Sequence, residues 1–303
     1  DDIAFLQYTS GSTSEPKGVM ITHANLADNM DLIVTGLGAG SDTVVVSWLP
    51  QYHDMGLIGS YLSCMFCGGS GVYMSPMSFI RNPPRWMELI SRHRATHIQA
   101  PNFAYGLVAR KFLDMANPPQ LDLSCVRHMI NAAEPVDTLT IDSFYAVFES
   151  HGLKRGVVFP TYGLAENTVY VCSNGRARLV VDRLQLETQG KVHPVGEGKL
   201  MSWAYGVEAR VGELGGPEEG LKTTSLAGCG RPGETRGLDL RIVAPDTCIA
   251  RGEGEVGEIW LRGPSRAAGY WGLPEKTAED FDARLLEVTS QDTGGKQMEA
   301  SVD

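Results

Sequence analysis

The feature that most limits what this chain can fold into is an alternation of short β-branched runs with segments of helical spacing. "IAFLQYT" (3–9), "TVVVSWLP" (43–50), "ATHIQAP" (95–101), "VRHMINAAEP" (126–135) and "GVVFPTYG" (156–163) read as strands. Between them, "THANLADNMDLIVTGL" carries helical spacing with Thr22 as N-cap and Gly36 near the C-cap. "PRWMELISRHR" (84–94), with Pro84 in its first turn, "FAYGLVARKFL" (103–113) and "TLTIDSFYAVFESHG" (138–152) are further helices. Strand and helix in turn over some 160 residues predict a mainly parallel, layered α/β sheet over 1–172. From Ser173 the pattern changes. Glycines and charges become frequent, and "RARLVVDRL", "HPVGEG", "GLDLRIVAP" and "GEVGEIWLRGP" predict a smaller β-rich subdomain over 173–282, followed by a frayed polar tail over 283–303.

Composition narrows the function. The 303 residues carry a formal charge of −10, which disfavours nucleic-acid and anionic-membrane partners. No apolar run reaches the roughly 18–20 residues of a membrane span, so a cytoplasmic protein is expected. Among the six cysteines only Cys64 and Cys67 are close, with no second pair at zinc spacing, and buried inert thiols are expected. His93 and His97 are spaced i, i+4 without the glutamate of H-E-x-x-H, and are expected as ordinary positions on one helix face. "GEGEVG" (252–257) is followed by a strand pattern and reads as a hairpin turn rather than a dinucleotide loop. No G-x-S-x-G elbow supports serine-hydrolase chemistry.

The stretch "YTSGSTSEPKGV" (8–19) is the strongest chemical signal. Glycines let backbone N–H groups converge on an anion, hydroxyls add donors and Lys17 adds charge, so a strand, this loop and a following helix predict phosphate binding. It is not a Walker A loop, because Lys17 precedes Gly18. Taken alone, Glu166 reads as a surface carboxylate, Tyr162 as a core tyrosine, and His53 with Asp54 as a hydrogen-bonded pair.

"YTSGSTSEPKGVMITHANL" resembles the phosphate loop of the adenylate-forming (ANL) ligases, the superfamily of acyl-CoA synthetases, luciferases and peptide-synthetase adenylation domains. The resemblance continues in order through "INAAEP", "PTYGLAEN", "GRPG" and "GEIWLRGPSRAAGYW". "SWLPQYHDMGLIG", "SPMSFIRNPPRWMELISRHRATH" and "APNFAYGL" are similar, more narrowly, to fatty acyl-AMP ligases. It implies part of the superfamily's large N-terminal domain, using ATP and Mg²⁺ to turn a fatty acid into an acyl-adenylate for an acyl carrier protein, in lipid and polyketide metabolism. By the same resemblance Thr9, Ser10, Gly11, Ser12, Thr13 and Gly18 wrap the β- and γ-phosphates with Lys17, which is also placed with His53 in catalysis. Glu166 coordinates Mg²⁺. Tyr162 stacks on adenine opposite the backbone of Ala132, Ala133 and Glu134, with Gly163, Leu164 and Ala165 beside it, and His53 orients the reacting carboxylate. The apolar face of 103–113 lines an acyl tunnel or is plain core.

Two departures are visible. The aspartate of the T-G-D motif that holds the ribose is matched only by "DTGG" (292–295), and the C-terminal domain with its catalytic lysine does not follow. The chain is therefore expected to be an incomplete middle part of a longer protein, weakly active alone. The alternatives are a long-chain acyl-CoA synthetase and a non-catalytic nucleotide- or acyl-binding module. Glu166 and Arg231 lie 65 positions apart. The resemblance implies that the extra length is an insertion hindering CoA thiolation. Residues 81–111 hold six Lys/Arg against one acidic residue, which reads as an ordinary solvated helix face or as a candidate surface for an acidic carrier protein.

Overall fold

The chain opens as a hairpin, not as a strand feeding a helix. In the computed structural model, which describes residues 2–9, 15–195, 201–202, 222–231 and 236–286, β1 (Ile3–Thr9) is antiparallel to β2 (Lys17–Thr22). Only after this return does α1 (His23–Gly36) begin. Thr22 is its N-cap as expected, with its hydroxyl accepting from the Asn25 N–H and the Asn25 side chain accepting from the Thr22 N–H. The expected strand–loop–helix is thus corrected. Val19 and Ile21, both fully buried, make β2 a strand whose outer edge receives residues 268–271, so the polar segment is followed by a strand and not by a helix.

Next come β3 (Val44–Ser47), a π-helix over Met55–Leu62 running into α2 (Ser63–Phe66), β4 (Ser70–Tyr73), α3 (Pro76–Arg81) and α4 (Pro84–His93). Then follow β5 (His97–Ala100), α5 (Asn102–Leu113), β6 (His128–Asn131), α6 (Thr138–Phe148) and β7 (Val158–Pro160). The sheet has the order β4-β3-β5-β6-β7 and every pairing is parallel, as the alternation predicted. A parallel sheet must be covered on both faces. Here one face meets α4, α5 and α6 in a core built on Trp86, Tyr105, Phe144 and Phe148, and the other meets α1 and the π-helix around Ile33, Ile58, Ile130 and Phe159. The i, i+4 histidine pair is corrected: His93 ends α4, Arg94 breaks the helix with a left-handed φ of 52°, and His97 starts β5.

The later chain holds β8 (Tyr162–Gly163) with β9 (Tyr170–Cys172), then β10 (Ala177–Asp182), α7 (Arg183–Gln189), β11 (Met201–Ser202) and β12 (Thr223–Ala227). β13 (Asp239–Ala244), β14 (Ile249–Ala250), β15 (Glu258–Arg262) and α8 (Pro274–Phe281) complete it. Its small sheets, β11-β10-β12 and β14-β13-β15, are antiparallel as expected. Neither α7 nor α8 was expected. Asp182 caps α7 by accepting from the Leu184 and Gln185 N–H groups, a local signal hidden in a charged segment. "GEGEVG" is not a hairpin turn: it carries the chain from β14 to β15, which lie on opposite sides of β13. Of "HPVGEG", Pro194 makes only an isolated bridge to Val181, and 196–198 fall outside the described residues, as do "DTGG" and the tail beyond 286. All six cysteines are free, but only Cys64 and Cys172 are fully buried. Among the described residues no helix is long and apolar enough to cross a membrane.

Candidate functional site

A cavity of about 850 Å³ opens where β1 and β2, the turn after β6, the 161–170 segment and the π-helix meet. It runs inward between the sheet and α1. Thr9 and Lys17 stand opposite each other at the neck of the hairpin and both line its mouth. Ser10, Gly11, Ser12 and Thr13 lie outside the described residues. Gly18 is buried in β2, where an added Cβ would come within 3.3 Å of the Tyr8 ring, and its carbonyl accepts from the Trp271 N–H. It is not among the lining residues. The Lys17 ammonium sits 4.7 Å from the centroid of the Tyr270 ring and 3.8 Å from Asp280 Oδ2, so β2 and α8 share one charge cluster.

Glu166 lines the same mouth from a short 3₁₀ turn, Ala165–Asn167. Its Oε1 accepts from the Tyr270 hydroxyl at 2.8 Å, and its carbonyl accepts from the Ala267 N–H. Burial first, then the hydrogen bond to Glu166, pushes the Tyr270 phenol far up, so this tyrosine remains a donor. The turn is held under strain: Thr168 has φ 67° and ψ −65°, and the Val169 N–H donates back to the Asn167 carbonyl, closing a γ-turn. Thr168 Oγ1 donates to the Ser265 carbonyl, while buried Asn29 donates to Tyr170 O and Ser265 Oγ and accepts from the Tyr170 N–H. These bonds from α1 and the 265 loop over-determine the backbone that presents Glu166.

Tyr162 faces the cavity from β8, with Ala132 and Ala133 also on its wall. Ala133 adopts a left-handed φ of 70°. Glu134 is off the wall; its Oε1 accepts from the Phe103 N–H at 2.6 Å, capping α5, whose preceding Pro101 offers no side-chain cap. Gly163, Leu164 and Ala165 continue the lining. Gly163 is sterically required, since a Cβ would fall 1.8 Å from the Val169 carbonyl oxygen.

His53 is half-exposed on the opposite wall, with Nδ1 2.8 Å from Asp54 Oδ1. That hydrogen bond, working against partial burial, raises the imidazole above its ordinary value. The inner walls carry Ile33, Leu37, Val45, Ile130 and Val169, with His97, Gln99 and His128 among them. The apolar face of α5 does not reach them: Ala104, Tyr105, Val108 and Phe112 are buried in the other core, which decides that alternative for packing. Tyr270, Asp280, Asn29 and Thr168 were missed by sequence reasoning. Only Tyr270 had a signal, as part of "GYW".

Can this mouth hold Mg²⁺ and ATP? Among the described residues no three His, Cys, Asp or Glu side chains converge as a metal cage. Mg²⁺ is commonly held by one or two carboxylates together with nucleotide phosphates, so a lone Glu166 beside a lysine fits an ion that arrives with its nucleotide.

Residues 1–271 match the family described as AMP-binding enzyme. The chain is 38% identical over 288 residues to the medium-chain-fatty-acid–[acyl-carrier-protein] ligase JamA of Moorena producens, covering 95% of this chain and 45% of that protein. It is 36% identical over 291 residues to the long-chain-fatty-acid–AMP ligase FadD26 of Mycobacterium marinum, covering 93% and 46%. A fatty acyl-adenylate ligase from L. pneumophila, solved with acyl adenylate and pyrophosphate, superposes with a TM-score of 0.80 at 34% identity, over 99% of this chain and 48% of that one. The chain thus spans under half the length of these relatives.

Proposed function

The chain belongs to the AMP-binding enzyme family, and from that premise we propose that it activates a fatty acid with ATP to an acyl-adenylate, which is then passed to an acyl carrier protein. The observation that carries this is one continuous cavity with Lys17 and Glu166 at its mouth and an interior lined largely by apolar side chains. The mouth suits phosphates; the interior suits an acyl chain.

In the reaction a carboxylate oxygen attacks the α-phosphorus, the bond from that phosphorus to the bridging oxygen breaks, and pyrophosphate leaves. Lys17, Thr9, Ser10, Gly11, Ser12 and Thr13 are assigned to the leaving phosphates, where fixed donors and charge offset the developing negative charge, whereas Gly18, buried in β2 off the cavity wall, is not. Glu166 would hold Mg²⁺ brought with the nucleotide, which would supply further charge neutralisation. Tyr162, with Gly163, Leu164 and Ala165 beside it, and the backbone of Ala132 and Ala133 are assigned to adenine, while Glu134, off the wall, caps α5 instead. His53, kept protonated more readily by Asp54, orients the carboxylate.

ATP–pyrophosphate exchange with a panel of fatty acids tests the reading: acid-dependent exchange is expected, and exchange indifferent to added acid would overturn it. The carrier is assigned to the basic stretch of 81–111. Arg94 is paired with Asp122, and Arg85 with Glu88. Arg81, Arg92, Arg110 and Lys111 are exposed without such partners among the described residues. Carrier acylation is expected to weaken as salt rises.

A further inference from the structure

We propose that the fatty acid taken by this chain bears a hydroxyl at the end remote from its carboxylate, and that Gln99 and His128 form the seat for that hydroxyl. The inference rests on the adenylate-forming reading above and specifies its substrate.

In the parallel sheet His97 stands opposite His128, and Gln99 opposite Ile130. Strand alternation turns these four side chains toward α1 and the π-helix, while Ile98, Ala100 and Met129 enter the core on the other face. All four line the cavity. Ala132 and Ala133, at the mouth, follow the C-terminal end of β6, whereas His128 is its first residue. His128 therefore lies about 13 Å deeper, four residues of strand, and Gln99, opposite Ile130, about half as far in. Ile33, Leu37, Val45 and Ile130 line the cavity with them, so the two polar side chains face the stretch that the distal part of an acyl chain would occupy.

Their hydrogen bonds show which atoms are open. His97 has both ring nitrogens engaged, at 2.8 Å with Thr96 Oγ1 and 3.1 Å with the Leu37 carbonyl. Gln99 donates through Nε2 to the Met55 carbonyl at 3.0 Å and to Ser60 Oγ at 2.6 Å. Its Oε1 accepts from no described residue. Gly59 gives this amide its room, since a Cβ there would lie 2.8 Å from Nε2 and 2.9 Å from Oε1. His128 Nδ1 is sealed from solvent with no partner. A buried lone pair is tolerated better than a buried unpaired N–H, which places the ring proton on Nε2. The seat thus offers one acceptor, Gln99 Oε1, and one donor, His128 Nε2–H. A hydroxyl, both donor and acceptor, matches the two. A terminal methyl would leave both unpaired. A carboxylate would set its charge against Gln99 Oε1, and the arginines that act on His128 through space, Arg127 and Arg176, are not among the lining residues, Arg127 being already paired with Asp42.

The test is calorimetric titration of the protein with two hydrolysis-resistant acyl-sulfamoyl adenosine analogues, decanoyl and ω-hydroxydecanoyl. The hydroxylated analogue is expected to bind about tenfold tighter, the scale of matching two buried polar groups against leaving them bare. In Gln99→Met, a swap of similar size, the ratio is expected to fall to near unity. His128→Phe, which keeps a ring against His97, supplies the same comparison if the first variant does not fold. Equal affinity, or tighter binding of the plain chain, by the unaltered protein would overturn the inference while leaving the adenylate-forming reading standing. So would a ratio unchanged in either folded variant. Binding of neither analogue would overturn that reading, and the inference with it.

Discussion

The hydroxyl of Tyr270 donates to Glu166 Oε1 at 2.8 Å across 104 positions of sequence, while the ring of the same tyrosine lies under the Lys17 ammonium at 4.7 Å. One side chain therefore fixes both charged groups at the mouth of the cavity. Tyr270→Phe is expected to lower stability by about 1 kcal/mol, the usual net worth of one buried hydrogen bond. Tyr270→Leu also removes the cation–π contact and is expected to cost about 0.5–2 kcal/mol more. Denaturant midpoints check both, and a Phe variant as stable as the parent would show that the hydroxyl contributes nothing.

Glu166→Gln keeps an oxygen for Tyr270 and removes the charge. The fold is expected to be unchanged by circular dichroism. Mg²⁺-dependent exchange is expected to fall by about a hundredfold or more, because charge neutralisation by the ion is worth several kcal/mol. An unchanged rate across a Mg²⁺ titration would refute the assignment of the ion to Glu166.

His53 is raised chiefly by its hydrogen bond to Asp54. A raised imidazole stabilises the fold fully below its unfolded value, near 6.5, and loses that contribution as pH climbs through the folded value. Asp54→Asn retains an oxygen to accept from the Met55 N–H but removes the charge. The His53 titration midpoint, followed by NMR, is expected to drop in this variant. The stability gap to the parent is expected to be greatest in mild acid and to close above the folded midpoint. It will be small, since His53 is 53% exposed. A gap that widens with rising pH would contradict the pairing.

Gly163→Ala drives a methyl into the Val169 carbonyl. It is expected to cost about 1–3 kcal/mol and to weaken nucleotide binding by moving Tyr162. Undiminished stability would mean that β8 and β9 separate more easily than their packing implies.

Excision bears on the acceptor. β10 is the central strand of its sheet, and Arg178 pairs with Asp142 of α6, so any cut must spare 177–182. Replacing residues 183–200 by a short glycine–serine link is expected to raise acyl-CoA formation relative to acyl-adenylate. An undeleted protein that already makes acyl-CoA as fast as acyl-adenylate would favour the CoA-synthetase reading.

Local pattern determined a good deal. β-Branched runs such as Val44–Ser47 and capped helices such as α1 and α6 are written in short windows, because backbone preference and side-chain period act over a few residues. Motif order carried the family. Tertiary structure decided whatever depends on partners distant in sequence. The segment after the polar loop became a strand because residues 268–271 pair along β2, and Lys17 and Glu166 are tied to one mouth because each contacts Tyr270. His97 left the expected helix face because one left-handed residue, Arg94, ends α4. The far end of the cavity had no motif at all. His97, Gln99 and His128 are spread over two strands, and only the sheet register brings them to one place. Hydrogen bonding between strands is set by the whole sheet, and no window of sequence contains it.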